Sequence, residues 1–269
     1  MRRGGLTMRI VAIADIHLGP DRHSVRGSAS VRALDGFVQA VESEIRPDLV
    51  VDLGDRVVDV DPDADRERQH QIASVFAGIS CPVLHVMGNH DAVNLARADN
   101  EQIFGQPMRC HSIDVGGFHF VVLDTCDPVL GGVGGAVSRE QLQWLDADLS
   151  AASAASVSSV ILCHHALCYH DISRNVLFKG IEPWAFASNR EEIWQVVSSH
   201  PGVVLVLHGH LHWTTVERVG DVPCLSANSP VESWTTGGEV RGEYAVVTLS
   251  PGEGGLDVDF QVRRVFPPE

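Results

Sequence analysis

Nowhere in these 269 residues do apolar side chains run on for the ~20 positions that a membrane-spanning helix needs, so no membrane partner is expected. The first apolar run, Ile10 to Ala14, is too short for the hydrophobic region of a secretory signal and leads straight into Asp15. Positive charge is scarce: 20 Lys+Arg stand against 35 Asp+Glu, a formal net charge of −15 with His neutral. With no basic stripe to neutralise a phosphate backbone, long nucleic acid is not an expected partner. The six cysteines (Cys81, Cys110, Cys126, Cys163, Cys168, Cys224) have neither CxxC spacing nor the density of a disulfide scaffold. Free thiols, a reducing compartment and a cytoplasmic location follow as expectations. No composition shift divides the chain, so residues 8–266 are read as a single domain behind a disordered N-terminus, 1–7. The sequence leaves a homo-oligomer open.

What the chain has is a series of short apolar runs that end abruptly on polar residues. Met8–Ala14, Leu49–Leu53, Val83–Val86, Val157–Cys163 and Val203–Leu207 have the length and continuity of strands buried on both faces. Helical spacing marks Ala29–Glu44, Arg66–Ala77, Asn94–Phe104, the stretch after Ser138 (a capping-box pattern with Gln141) and Arg190–Ser199 behind an Asn189 cap. Asp59 to His70 is acidic and is read as a solvated loop running into a helix. Gly116-Gly117 between two alternating runs signals a hairpin. GGVGG at 131–135 lacks the GK[ST] ending of a phosphate cradle and is taken as a covering loop. From Thr214 the pattern changes to short β segments, which implies mixed sheets with helices outside.

Each of the five apolar runs is followed by residues able to hold a metal: Asp15/His17, Asp55, Asn89/His90, His164/His165 and His208/His210. Ligands of open α/β sheets gather beyond the carboxyl ends of the strands, so these five ends should converge. Six other histidines (His23, His70, His85, His111, His119, His200) have no such partners and are read as surface or packing residues.

The series D-x-H, G-D, G-N-H-D, H, G-H-x-H between Asp15 and His210 resembles the calcineurin-like metallophosphoesterase superfamily. GAVSREQLQWLDADL and the His164-His165 doublet look like its cyclic-nucleotide and glycerophosphodiester phosphodiesterase branch. Arg56 stands where a small or apolar residue is more usual, and Ala166-Leu167 where prolines are common. The resemblance implies an α/β fold, an αββα sandwich of two mixed β-sheets flanked by helices, with a dinuclear metal site at the strand C-terminal ends. Asp55 would bridge two metal ions; Asp15, His17 and His210 would complete one shell, and Asn89, His164 and His208 the other. Such nitrogen and oxygen donors suit Mn, Fe or Zn and argue against a thiolate site. His90 would serve catalysis as proton donor to the leaving group, with Asp91, His165 and His212 in support. The implied reaction is metal-dependent hydrolysis of a phosphodiester in a small soluble substrate, a cyclic nucleotide or glycerophosphodiester, by a metal-bridging hydroxide. A phosphomonoesterase or nucleotide pyrophosphatase on the same site is the alternative, and a non-catalytic scaffold a further one, although no ligand is missing. Ala166–Ser188 and Ala227–Gly238, with Trp184 and Trp234, are expected to form the substrate rim, since loops on a rigid scaffold carry specificity.

Overall fold

A computed structural model describes residues 7–130, 134–252 and 255–266. In chain order the strands are β1 (Met8–Ile13), β2 (Leu49–Asp52), β3 (Val83–His85), β4 (His111–Val115), β5 (Phe118–Val122), β6 (Cys126–Asp127), β7 (Ala136–Val137), β8 (Ser158–Leu162), β9 (Val203–His208), β10 (Thr215–Val219), β11 (Val222–Ser226), β12 (Glu243–Gly252) and β13 (Gly255–Arg264). The α-helices are α1 (Ser30–Ala40), α2 (Pro62–Phe76), α3 (Arg97–Phe104), α4 (Arg139–Ala154) and α5 (Arg190–Ser198). One sheet has the order β13-β12-β1-β2-β3 and the other β10-β11-β9-β8-β5-β4. Both are mixed. β1, β2 and β3 run parallel with β12 antiparallel to β1, and β5, β8, β9 and β11 run parallel between the antiparallel edges β4 and β10.

Strand periodicity divides the apolar residues into layers. Ile10, Ala12, Leu49 and Val51 of one sheet meet Phe120, Val122, Val160, Leu162, Leu205 and Leu207 of the other in the inter-sheet core. Their alternates on the first sheet, Val11, Ile13 and Val50, pack with Leu34, Phe37 and Ile72 of α1 and α2. Val121, Ile161, Cys163 and Val206 pack with Leu145, Leu149, Ile193 and Val197 of α4 and α5. Each large side chain so enclosed contributes about 1.5–3 kcal/mol of burial free energy. The result is the αββα sandwich that the family resemblance implies, and Cys163 points away from the sandwich interior as strand alternation requires. Among the described residues no helix is long and apolar enough to cross a membrane. All six cysteines are free.

Several boundaries differ from the sequence reading, each for a local reason. The first helix gives way after Ala40 to a π-helical turn, Val41–Ile45, closed by Arg46 at φ 49°. α2 begins at Pro62, inside the acidic stretch read as loop, because the Asp61 carboxylate accepts from the amides of Asp63 and Ala64 and Pro62 occupies the first turn. α3 starts only at Arg97, where Asp99 reaches back to the Ala96 amide. Asn189 does not cap α5; its amide side chain exchanges two hydrogen bonds with the backbone of Val137 instead. Ser138 caps α4 as expected, but Gln141 binds the backbone of Asp124 rather than closing a capping box. Gly116-Gly117 turn the β4–β5 hairpin with φ 58° and 82°. Most of the N-terminal segment 1–7 and part of GGVGG lie outside the described residues.

Candidate metal centre

Asp55 lies just beyond β2 at the meeting point of the strand ends. Its Oδ1 accepts from the His90 amide at 2.8 Å, while Oδ2 lies 3.2 Å from His164 Nε2, 3.9 Å from His90 Nε2 and 4.0 Å from His17 Nε2. On one side of it, His17 Nε2 is 2.9 Å from His212 Nε2, which is 3.4 Å from Asp15 Oδ1. On the other, His164 Nε2 is 3.1 Å from Asn89 Oδ1, and one ring nitrogen each of His164, His165 and His210 lie within 4.8 Å of one another. All of these groups are buried except His90, which is half-buried.

The hydrogen bonds at the far side of each ring decide what the inner nitrogens can do. His164 Nδ1 donates to the Leu53 carbonyl at 2.8 Å and His212 Nδ1 to the Glu232 carboxylate at 3.0 Å. His17 donates to the backbone of Val57, and His210 Nε2 donates to the Trp184 carbonyl at 3.1 Å. A neutral imidazole has one N–H, so each ring turns a lone pair inward, with its tautomer fixed by the outer partner. Between His17 and His212 a proton or a cation must therefore sit. Electrostatics carry the same demand. Burial would depress His164 and His212, but the Asp55 carboxylate lifts the first to about 9 and the Asp15 carboxylate the second to about 10. His17 and His210 are pushed well below the ordinary range by burial and by neighbouring imidazoles. Two carboxylates, an amide oxygen and four imidazoles, converging away from water, are a donor set that fits borderline metal ions.

The frame beneath is a buried ionic network. The Asp91 carboxylate accepts from the amides of Asp55 (3.0 Å), Arg56 (2.9 Å) and Gly88 (3.0 Å) and from the Gln69 side chain (2.8 Å). Arg56, fully buried, donates through Nη1 to Asp91 at 2.9 Å, through Nε to Asp52 at 2.5 Å and through Nη2 to the Val86 carbonyl at 2.6 Å. Asp91 thus holds the backbone that aims Asp55, and Arg56 ties the ends of β2 and β3 together. A Cβ at Gly88 would lie 2.1 Å from the Asp55 nitrogen, so only glycine lets this loop approach. Asp15 (φ 54°), His17 (46°), Asp55 (56°), His210 (69°) and His212 (48°) all hold left-handed backbone, a conformation non-glycine residues rarely adopt.

The structure corrects one ligand assignment. His208 is not in this cluster: its Nε2 lies 2.9 Å from His170 Nε2, on the other side of β9. Leu205 and Leu207 face the inter-sheet core and Val206 faces the helices, so period two turns His208 outward with Val206. The pair that reaches the centre is His210 and His212, with His210 on the Asn89/His164 side and His212 in the place assigned to His210. The signal was present: G-H-x-H begins at Gly209, and its two histidines are 210 and 212. His165 lies beside His164 and His210, its Nδ1 2.8 Å from the Thr125 hydroxyl.

A cleft of about 300 Å³ opens above the centre, with His17, Asp55, His90, His210 and His212 at its floor and Arg22 and His23 at its rim. Val25, Val58, Leu177, Phe178 and Ile181 form an apolar wall. Segment 166–188 therefore supplies the wall, but through residues other than Trp184. Trp184 lines an adjoining cavity with Leu130 and Phe186, and Trp234 makes an edge contact with Trp213 and is absent from the cleft lining. His90 Nδ1 is held by the Asp59 carboxylate at 2.5 Å. Burial lowers the His90 pKa, but Asp55 and Asp59 outweigh it and raise it.

Residues 8–214 match the family model described as calcineurin-like phosphoesterase. A Rhodococcus erythropolis protein named "Probable cyclic nucleotide phosphodiesterase" is 27% identical over 241 residues, covering 87% of this chain and 74% of its own. A 3',5'-cyclic-nucleotide phosphodiesterase of a Nostoc species is 28% identical over 214 residues, 77% of this chain and 72% of its own. Among solved structures, a dimetal phosphatase from Danio rerio superposes with a TM-score of 0.73 at 19% identity, covering 96% of this chain and 98% of that one, a likeness of fold alone.

Proposed function

Because this chain belongs to the calcineurin-like phosphoesterase family and is accordingly a hydrolase, we propose that it cleaves a phosphodiester bond in a small substrate at the Asp55 cluster, with 3',5'-cyclic nucleotides the foremost candidates and glycerophosphodiesters next. The observation that carries this reading is the inward convergence of imidazole lone pairs around Asp55 at the floor of a half-apolar cleft. We assign Asp55 to both metal ions, Asp15, His17 and His212 to one, and Asn89, His164 and His210 to the other. Bound there, the two ions would supply acidification of a water nucleophile and offset the charge of the phosphoryl oxygens. The chain's own groups do the rest. Glu232, Leu53, Val57 and Trp184 fix the ring orientations through the hydrogen bonds described above. Asp59 holds His90 with Nε2 turned toward the cleft, where it can give a proton to the departing alkoxide. Arg22, paired with Asp59 at 3.2 Å, stands at the rim, and Leu177, Phe178 and Ile181 offer an apolar surface to a nucleoside or other leaving group. Both sheets share one core, which supports residues 8–266 acting as one unit.

Metal-stripped protein reconstituted separately with Mn, Fe and Zn, then assayed against cyclic nucleotides, glycerophosphodiesters and phosphomonoesters, tests the proposal. Turnover should be fastest with a diester. A higher kcat/KM for nucleoside monophosphates than for every diester would sink it.

A further inference from the structure

The displaced histidine leads to a second group of donors that the proposed hydrolysis does not use. Cys168, His170 and His208 meet on the helix-facing side of β9, with 2%, 0% and 0% of their surfaces exposed. Cys168 Sγ lies 3.2 Å from His170 Nε2, which lies 2.9 Å from His208 Nε2. One donor atom each of Cys168, His170 and His208 lies within 4.8 Å of the others, and Cys224, a fully buried thiol on β11, packs in the same buried cluster as Cys168. We propose that Cys168, His170, His208 and Cys224 form a separate, closed metal site of the zinc type, independent of the phosphoesterase reading.

Three features carry the proposal. First, His208 Nδ1 donates to the Gly209 carbonyl at 3.0 Å, so its Nε2 presents a lone pair to the cluster, as a metal-binding imidazole does. Second, Zn–N bonds of about 2.0–2.1 Å and Zn–S bonds of about 2.3 Å at tetrahedral angles set neighbouring donors roughly 3.3 Å (N to N), 3.6 Å (N to S) or 3.8 Å (S to S) apart. The observed 2.9 and 3.2 Å need open by only a few tenths of an ångström. Third, the charges cancel. A divalent ion displaces the two thiol protons to solvent, and two thiolates balance it, leaving a neutral group where a net charge would be costly to bury. Two thiolates and two imidazoles without a carboxylate select Zn over the oxygen-loving ions, and full burial is the mark of a structural rather than a catalytic site. The ion would staple the root of segment 166–188 to β9 and β11, thereby setting the position of Leu177, Phe178 and Ile181 in the cleft wall.

Full-length protein, stripped of metal and reduced with a phosphine, is titrated with Co(II) while the near-ultraviolet thiolate-to-cobalt charge-transfer band is followed. The Asp55 centre has no sulfur ligand and is silent in this band. The band should appear in the wild type and in Asp55→Ala, weaken in Cys168→Ser and in Cys224→Ser, and vanish when both cysteines are replaced. Elemental analysis of zinc-loaded Asp55→Ala should retain one equivalent, lost again when Cys168→Ser is added. Absence of the band in wild-type protein, which requires no variant to fold, overturns the site, as does an undiminished band in Cys168→Ser. Should Cys168→Ser not fold, His170→Ala takes its place and must weaken the band.

Discussion

Asp55 presents one carboxylate oxygen to imidazoles on both sides of the centre, at 3.2 Å and 4.0 Å, so its loss cannot be confined to one half. Asp55→Ala should leave the centre without both metals, whereas His212→Ala should lose one. Elemental analysis in the presence of intact Cys168 reads these as changes in stoichiometry, and two centre metals retained in Asp55→Ala would contradict the shared assignment. His90 stands apart from the ligands. His90→Ala should keep its metal and lose roughly 10²–10⁴-fold in rate on diesters with poor leaving groups. Nitrophenyl esters, whose leaving oxygen hardly needs a proton, should lose much less, and equal losses on both would assign His90 to phosphate binding instead. The sequence made most of these residues legible because each follows an apolar run that stops abruptly. At His208 the strand end misleads, because the alternation of Leu205, Val206 and Leu207 carries on for one residue more and turns this ring away from the centre.

At the scale of elements, the segment after β8 has its own small core, with Ala166, Ile172, Phe178, Ala185 and Phe186 buried around Leu211. Ile181 projects from it, 42% exposed, into the cleft wall. Ile181→Ala should therefore raise KM or reorder substrates while stability changes by no more than about 0.5 kcal/mol, as at other surface sites; a large fall in Tm with unchanged KM would remove it from the wall. Trp184→Ala, by contrast, should act mainly on the adjoining cavity it lines. The sequence could show that this segment covers the site, but not which aromatic faces which cavity, because irregular backbone has no period to read. On the opposite side, α4 is tied to β5 by His119, whose ring lies 2.7 Å from Asp114 and 2.8 Å from Asp148. Burial opposes its protonation, but the two carboxylates outweigh it and raise its pKa. A raised histidine stabilises fully below its unfolded pKa, and that contribution is lost as pH climbs through the raised value. His119→Gln should hence lower Tm more at about pH 6 than at about pH 9; a pH-independent difference would show that the ion pairs contribute nothing.

For the molecule as a whole, mixed sheets with helices outside were legible because continuous apolar runs require two covered faces, and the family resemblance supplied their pairing as a sandwich, while the helix starts at Asp61 and Ala96 were obscured by charged residues whose role is capping. Two sheets that share one core place five strand ends in one spot, so bound metal should hold both sheets in register. Chelation should lower Tm and readdition restore it, by about 2.7 kcal/mol at a metal concentration 100 times Kd. A Tm indifferent to chelator, in protein shown to have lost its metal, would mean the sheets need no such tie. The left-handed backbone at Asp15, His17, Asp55, His210 and His212 adds a different consequence. Each such residue costs on the order of 1–3 kcal/mol that glycine there would not. Glycine would free the turns but remove the ligands, so selection for thermal robustness and selection for turnover pull these five positions in opposite directions. Libraries screened for heat resistance alone should drift there toward inactive chains.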